Sequence, residues 1–254
     1  MPRILILGGT ADARRLAARL AGRGDLSITL SLAGRTENPV AQPVPVRSGG
    51  FGGAEGLAAY LGQERISLLI DATHPYAAQI SANAAAAAAL AGVPILALRR
   101  PAWQAVEGDR WTPVDSAEAA VQALGTARRT VFLALGRQEI APFEAARQHS
   151  YVVRSVDPIA PPLAVPDATY ILARGPFAED DDLALLADRG IDAIVCKNSG
   201  GGATYGKIAA ARRLGIGVIM LRRPALPDVP SGKTVEQVAA MVDHVLDPAA
   251  KRGV

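Results

Sequence analysis

Short aliphatic runs such as Ile4-Leu-Ile-Leu7 and Leu68-Leu-Ile-Asp71 alternate with alanine-rich stretches of helical period along the whole chain. Strand-like blocks alternating with helical ones predict parallel strands joined by crossover helices. The pattern places strands near 4–7, 27–32, 43–47, 68–71 and 94–98, with helices near 12–22, 54–63 and 77–91. It restarts after Trp111-Thr-Pro113, with strands near 130–135, 151–154, 169–173, 193–196 and 217–221. The helices of this second set fall near 116–124, 139–147, 179–189 and 204–214. His149 and His244 are read as helical. Thr234-Val-Glu-Gln237 reads as a capping box opening a last helix through Leu246.

The restart is also a repeat. Gly92 to Ala102 matches Gly215 to Ala225, both containing Leu-Arg-Arg-Pro-Ala, and each follows an alanine-rich helix. At nearly the same offset, Ile70 to Pro75 corresponds to Val195 to Gly200, and Arg3 to Leu7 to Arg129 to Leu133. Three matches at a shared offset point to a duplicated unit. The fold expected is α/β, with two similar Rossmann-like parallel-sheet domains and a cleft between them. The expected domains are 1–102, 103–230 and a C-terminal helical segment 231–254 that packs back on the first. Residues 100–113 are read as linker, and 224–231 as the end of the last strand.

Half of the 254 residues are hydrophobic, enough for large cores, yet the longest apolar tract is far below the roughly 20 residues of a membrane span. The first residues run straight into a strand, without the pattern of a signal peptide, so a cytoplasmic location is expected. A single cysteine, Cys196, excludes an intramolecular disulfide and a cysteine-rich zinc site. No metal is expected. The net charge of +3 comes from arginine, with lysine only at 197, 207, 233 and 251. No long basic run and few aromatics speak against a nucleic-acid partner. Nothing marks an interface helix, and a monomer is expected.

Chemistry collects at strand ends. Gly8-Gly9-Thr10-Ala11 joins the first strand to a helix, where backbone N–H groups can receive a phosphate. It departs from G-x-G-x-x-G, since Thr10 and Ala13 replace the second and third glycines. The second strand ends without the acidic residue that holds the ribose of NAD; Ser31, Arg35 and Thr36 offer donors for a 2′-phosphate instead, favouring NADPH. Gly49-Gly50-Phe51 follows the third strand, with Phe51 either beside the cofactor or in the core. Asp71-Ala-Thr-His-Pro-Tyr76 puts Thr73, His74 and Tyr76 at the end of the fourth. In the second half, Gly136-Arg137, Arg174 and the run Lys197-Asn198-Ser199-Gly200-Gly201, with Lys207 beyond it, offer donors for carboxylates.

Taken together, Ile6 to Arg14, Gly49-Gly-Phe51, Asp71 to Ala77, Gly136-Arg137 and Lys197 to Gly201 resemble the precorrin-6A reductase family over nearly the whole chain. The resemblance implies NADPH on the first domain, at Gly8, Gly9, Thr10, Ala11, Ser31, Arg35, Thr36, Gly50, Phe51 and Thr73. It implies a tetrapyrrole polycarboxylate held by His74, Tyr76, Arg137, Arg174, Lys197, Asn198, Ser199, Gly200, Gly201 and Lys207. The implied reaction reduces one C=C bond of precorrin-6A to give precorrin-6B in cobalamin biosynthesis, with His74, Tyr76 and Lys197 all candidates for proton donor. Two alternatives stay open: the cobalt-containing substrate of the anaerobic pathway, and a non-enzymatic two-lobed binding protein. A short-chain dehydrogenase is disfavoured, because Tyr205-Gly-Lys207 lacks the Tyr-x-x-x-Lys spacing.

Overall fold

In the computed structural model, which describes residues 1–34 and 40–246, the chain divides into two compact units. One is Met1–Pro101 with Pro224–Val254, the other Ala102–Arg223. The boundary at 223/224 assigns residues 224–230 to the first unit, where Pro230 accepts a hydrogen bond from Ala97 at 2.9 Å.

The first unit holds β1 (Arg3–Leu7), α1 (Ala11–Ala21), β2 (Ser27–Leu32), β3 (Val46–Ser48), α2 (Gly53–Gln63), β4 (Leu68–Asp71), α3 (Ala78–Ala91) and β5 (Ile95–Leu98). The second holds β6 (Trp111–Val114), α4 (Ala117–Leu124), β7 (Thr130–Ala134), β8 (Ser150–Ser155), β9 (Ala168–Leu172), α5 (Glu179–Asp188), β10 (Ala193–Lys197), α6 (Gly206–Leu214) and β11 (Gly217–Leu221). The chain then returns to the first unit as β12 (Ser231–Gly232) and α7 (Val235–Leu246). Every recorded strand pairing is parallel.

The two sheets have the same plan. Their orders are β12-β5-β4-β1-β2-β3 and β6-β11-β10-β7-β8-β9. Strand for strand, β5 corresponds to β11, β4 to β10 and β1 to β7, as the sequence repeat requires. The edge strands β6 and β12 are exchanged: each follows the fifth strand of one unit in sequence and completes the sheet of the other. Gly92 and Gly215, which open the repeat, both end a helix in the left-handed conformation, with φ of 62° and 68°. That region suits glycine because it has no Cβ to clash.

Alternation along β1 sets the layers. Ile4 and Ile6 face a core shared with Leu16 and Leu20 of α1 and Val238 and Val242 of α7. Leu5 and Leu7 face the opposite core, with Leu57 and Leu61 of α2 and Ala84, Ala87 and Ala88 of α3. A strand buried on both faces reads as a continuous apolar run, which β1 is. In the second unit Phe132, Ile194, Cys196 and Met220 pack against Leu186 of α5 and Ile208 of α6.

Four expectations need correction. Residues 139–147 are not an α-helix but two 3₁₀ turns, Arg137–Glu139 and Ala141–Ala145. Pro142 would fall inside an α-helix begun at Glu139, where it lacks the N–H for the ladder and clashes with the preceding turn. His149 therefore sits in the turn before β8, buried at 1 % exposure. β3 starts at Val46 rather than 43, beyond Pro43 and Pro45, which have no N–H to give. Finally, 111–114 within the supposed linker region and 231–232 are edge strands. At the last helix, Thr234 Oγ1 accepts the Gln237 N–H at 3.2 Å, while the Gln237 side chain accepts from Lys233 rather than from Thr234.

Candidate active site

Each unit presents loops at the C-terminal ends of its parallel strands, the edge at which open α/β sheets take ligands. In the first unit the turn after β1 is shaped by three adjacent residues. A Cβ on Gly8 would stand 2.7 Å from Leu30 Cδ1 and 3.4 Å from Ala13 Cβ, so glycine spares the buried Leu30 side chain a shift. Gly9 has φ of +105° and open space above it. Thr10 is the N-cap of α1: its Oγ1 accepts from the Ala13 amide at 3.0 Å and donates to the Ala72 carbonyl at 3.0 Å. The N–H groups of Ala11 and Asp12, at the helix start, have no acceptor within the helix. A bare glycine backbone leading into a helix N-terminus fits the phosphates of a nicotinamide dinucleotide.

The flanks of this turn are held by ion pairs. Asp71, fully buried at the end of β4, accepts from the Thr73 amide and hydroxyl, at 3.1 and 2.6 Å, and pairs with Arg99 at 2.6 Å. Burial alone would raise its pKa, but the Arg99 guanidinium and the hydrogen bonds hold it below the ordinary carboxylate value. Thr73 thus turns its hydroxyl inward to Asp71 and buttresses the strand end. Asp12 pairs with Arg100 at 2.7 Å and also with Arg15.

Ser31 is buried at the end of β2, and its carbonyl accepts from Gly8 at 2.9 Å. Sequence reasoning missed the neighbour beside it, Arg47. This guanidinium donates to the carbonyls of Gly49 and Gly50, at 2.6 and 2.7 Å, and lies 3.4 Å from Ser31 Oγ. It also covers the ring of Phe51, 3.7 Å from its centroid, while Tyr60 meets that ring edge-on. Phe51 is therefore half-buried, with one face taken by Arg47. The signal available was an arginine directly before Ser48-Gly-Gly50. Arg35 and Thr36 lie outside the described residues.

After β4, His74 is half-buried and its Nδ1 accepts from the Tyr76 amide at 3.3 Å, with the two rings 5.6 Å apart. An accepting Nδ1 places the proton of the neutral ring on Nε2.

In the second unit the turn after β7 is filled differently. Glu139 accepts from the Gly136 amide at 2.8 Å and forms an ion pair with Lys197, at the end of β10. Arg137 and Arg174 are exposed, the first after β7 and the second after β9, two strands away in the sheet. The loop after β10 is clamped by Trp103. Asn198 Oδ1 accepts from the Trp103 amide at 2.8 Å, its Nδ2 donates to the Trp103 carbonyl at 2.9 Å, and the indole N–H donates to Gly201 at 2.7 Å. Arg223 Nε donates to the Asn198 carbonyl at 2.8 Å. Gly200 and Gly201 carry φ of +70° and +68°, which suits the tight turn that Ser199 enters.

Lys207 does not reach outward to carboxylates. Only 3 % exposed, its ammonium donates to the Thr204 carbonyl at 2.6 Å and lies 5.0 Å from the Trp103 ring centroid. Burial lowers its pKa. Asn198 likewise spends its side chain on Trp103. Both hold the loop that carries Ser199, Gly200 and Gly201.

The comparisons with known proteins agree on one family. The profile described as Precorrin-6x reductase CbiJ/CobK matches residues 3–245. A precorrin-6A reductase of Sinorhizobium sp is 60 % identical over 248 residues, covering 98 % of this chain and 95 % of that protein. One from Rhodobacter capsulatus is 50 % identical over 249 residues, covering 98 % and 99 %. The solved structure of CobK precorrin-6A reductase superposes with a TM-score of 0.93 at 49 % identity, over 100 % of both chains. With a family profile spanning the chain and a relative of this fold and identity along its whole length, the chain belongs to the precorrin-6x reductase CbiJ/CobK family.

Proposed function

We propose that this chain reduces one C=C bond of precorrin-6A, giving precorrin-6B in cobalamin biosynthesis, with NADPH as the reductant. The observation that carries the cofactor part is the Gly8-Gly9-Thr10 turn: a glycine backbone, with open space above Gly9, that leads onto a helix N-terminus. The diphosphate would lie against the amides of Gly9, Thr10, Ala11 and Asp12. Ser31 and Arg47 mark the side of the adenosine ribose, and two donors with no carboxylate between them favour a 2′-phosphate over a bare hydroxyl. When bound, the nicotinamide supplies the hydride.

The chain's own residues orient and protonate. Lys197, Arg137 and Arg174 offer cations to the acetate and propionate carboxylates of the macrocycle, and the backbone of Ser199, Gly200 and Gly201 offers further donors. Orientation of the double bond supplies much of the rate in such a reaction. His74 is the proton donor favoured here, because its Nδ1 already accepts a backbone N–H and its Nε2 carries the proton. Tyr76 packs beside it and holds the ring. The reading includes a cytoplasmic monomer; among the described residues no helix is long and apolar enough to cross a membrane.

The test is NADPH oxidation by the purified chain, followed at the nicotinamide absorbance with precorrin-6A added. It is repeated with NADH and with the cobalt-containing macrocycle. Oxidation dependent on the metal-free ring and faster with NADPH is the expected result. Binding of both molecules without oxidation would instead support a binding protein.

A further inference from the structure

We propose that Arg100 is a positioning residue for the dinucleotide: by pairing with Asp12 it cancels a negative charge that the sequence places at the start of α1, where the diphosphate is to be held. This rests on the reading of that turn as the cofactor site.

Asp12 is the acidic residue of the first turn of α1. A helix N-terminus attracts anions, and the field that stabilises this carboxylate is the field offered to a phosphate. Two anions at one helix end repel each other, and the repulsion is felt more where solvent is partly excluded. The structure shows how the carboxylate is neutralised. Its Oδ2 accepts from Arg100 Nη1 at 2.7 Å and its Oδ1 from Arg15 Nη2. The Asp12 and Arg100 side chains are 16 % and 18 % exposed, whereas that of Arg15 is 70 % exposed. Water and salt screen the Arg15 contact more, so Arg100 is the partner that counts. The Asp12 carboxyl is held below its ordinary pKa: burial pushes it up, and the two guanidinium groups outweigh that. The lowered pKa favours the ionised form, the form that needs a cation beside it.

Arg100 is delivered to this place by the fold. It follows β5 directly after Arg99, which serves Asp71, so adjacent arginines engage the carboxylates on either flank of the glycine turn. Asp12 can then keep its favourable place in the first turn of the helix without opposing an anionic ligand.

Titration calorimetry with NADP⁺ at low ionic strength tests this with four variants, R100M, R100K, D12N and the double D12N/R100M. R100M is expected to weaken binding about tenfold, through the bared carboxylate, and R100K to recover most of the loss. D12N is expected to tighten binding about threefold, because the helix start then carries no carboxylate to oppose the ligand. The double variant should return to within about threefold of wild type, a coupling that simple damage to the fold would not produce. The R100M deficit should also shrink at 1 M KCl. If the double variant binds as weakly as R100M, or R100M binds like wild type, the inference is overturned while the cofactor reading stands. If wild type itself fails to bind NADP⁺, that reading falls and takes the inference with it.

Discussion

The turns after β1 and β7 occupy the same place in two sheets of identical strand order, yet they are built for opposite purposes. After β1, Gly8, Gly9 and Thr10 lead into α1, eleven residues long, and leave amides at its start for a ligand. After β7 the corresponding helix is gone, replaced by two 3₁₀ turns, and the Gly136 amide is already taken by the Glu139 carboxylate. In the second unit a carboxylate of the chain thus occupies the turn amide, whereas in the first the carboxylate nearby, Asp12, is engaged by Arg100 and Arg15 instead. The lesson is that the place proposed here for a phosphate in one half of a duplicated fold is filled by a carboxylate of the chain in the other. That charge is reused, since Glu139 also holds Lys197.

The largest effect is expected from filling the open turn. Gly9→Val places a β-branched side chain at φ of +105°, a conformation L-residues rarely adopt, directly over the ligand position. NADP⁺ affinity measured by calorimetry should fall by about 100-fold. Gly136→Ala, where φ is an ordinary −76° and the added Cβ meets the Glu139 carboxylate and, at 4.0 Å, Lys197 Nζ, should leave NADP⁺ affinity within about twofold. Equal losses would remove the contrast between the turns.

A smaller change should follow from releasing the internal anion. Glu139→Gln keeps an acceptor for the Gly136 amide but leaves the Lys197 ammonium without its carboxylate. The KM for precorrin-6A should then drop about threefold, and Lys197→Met should raise it about tenfold, with NADPH affinity unmoved in both. An unchanged KM in Lys197→Met would show that this cation does not reach the substrate.

The smallest effect concerns stability. His149 is buried in the second unit with Nδ1 unpartnered, and burial, with Arg129 nearby, lowers its pKa from 6.5. A folded-state pKa below the unfolded one means that the unfolded chain binds the extra proton as pH falls below 6.5, so stability declines in that direction. The slope from one such group cannot exceed about 1.4 kcal/mol per pH unit. Thermal melts between pH 7 and 5.5 should show a shallower decline in His149→Gln than in wild type.

Much of this architecture was legible because buried parallel strands write themselves as unbroken aliphatic runs, and because the Leu-Arg-Arg-Pro-Ala repeat exposes the duplication. The two edge strands were not. β6 pairs on one side only, contains Pro113 and is largely exposed, and β12 is two residues long, so neither carries an apolar signature. At the site, the glycine turn and Lys197 could be read from local order alone. Arg47, Arg99 and Arg100 could not be given partners, since each role depends on which strand ends the fold brings side by side. Lys207 was misread for the same reason: a lysine beside a glycine-rich loop looks like a surface cation until Trp103 is laid across it.

The exchanged edge strands bear on how the molecule comes into being. A ribosome releases β1 to β5 first, yet the sheet they form lacks its outer strand, and the core under β1 lacks Val235, Val238 and Val242. Those pieces leave the exit tunnel only after the second unit. The second unit has its full set of strands once Leu221 has emerged, so the half that is translated first is the half that finishes folding last. Until then the β5 edge is an unpaired template during synthesis, and a chain cut short after Leu221 would be injured in its first unit rather than in the second.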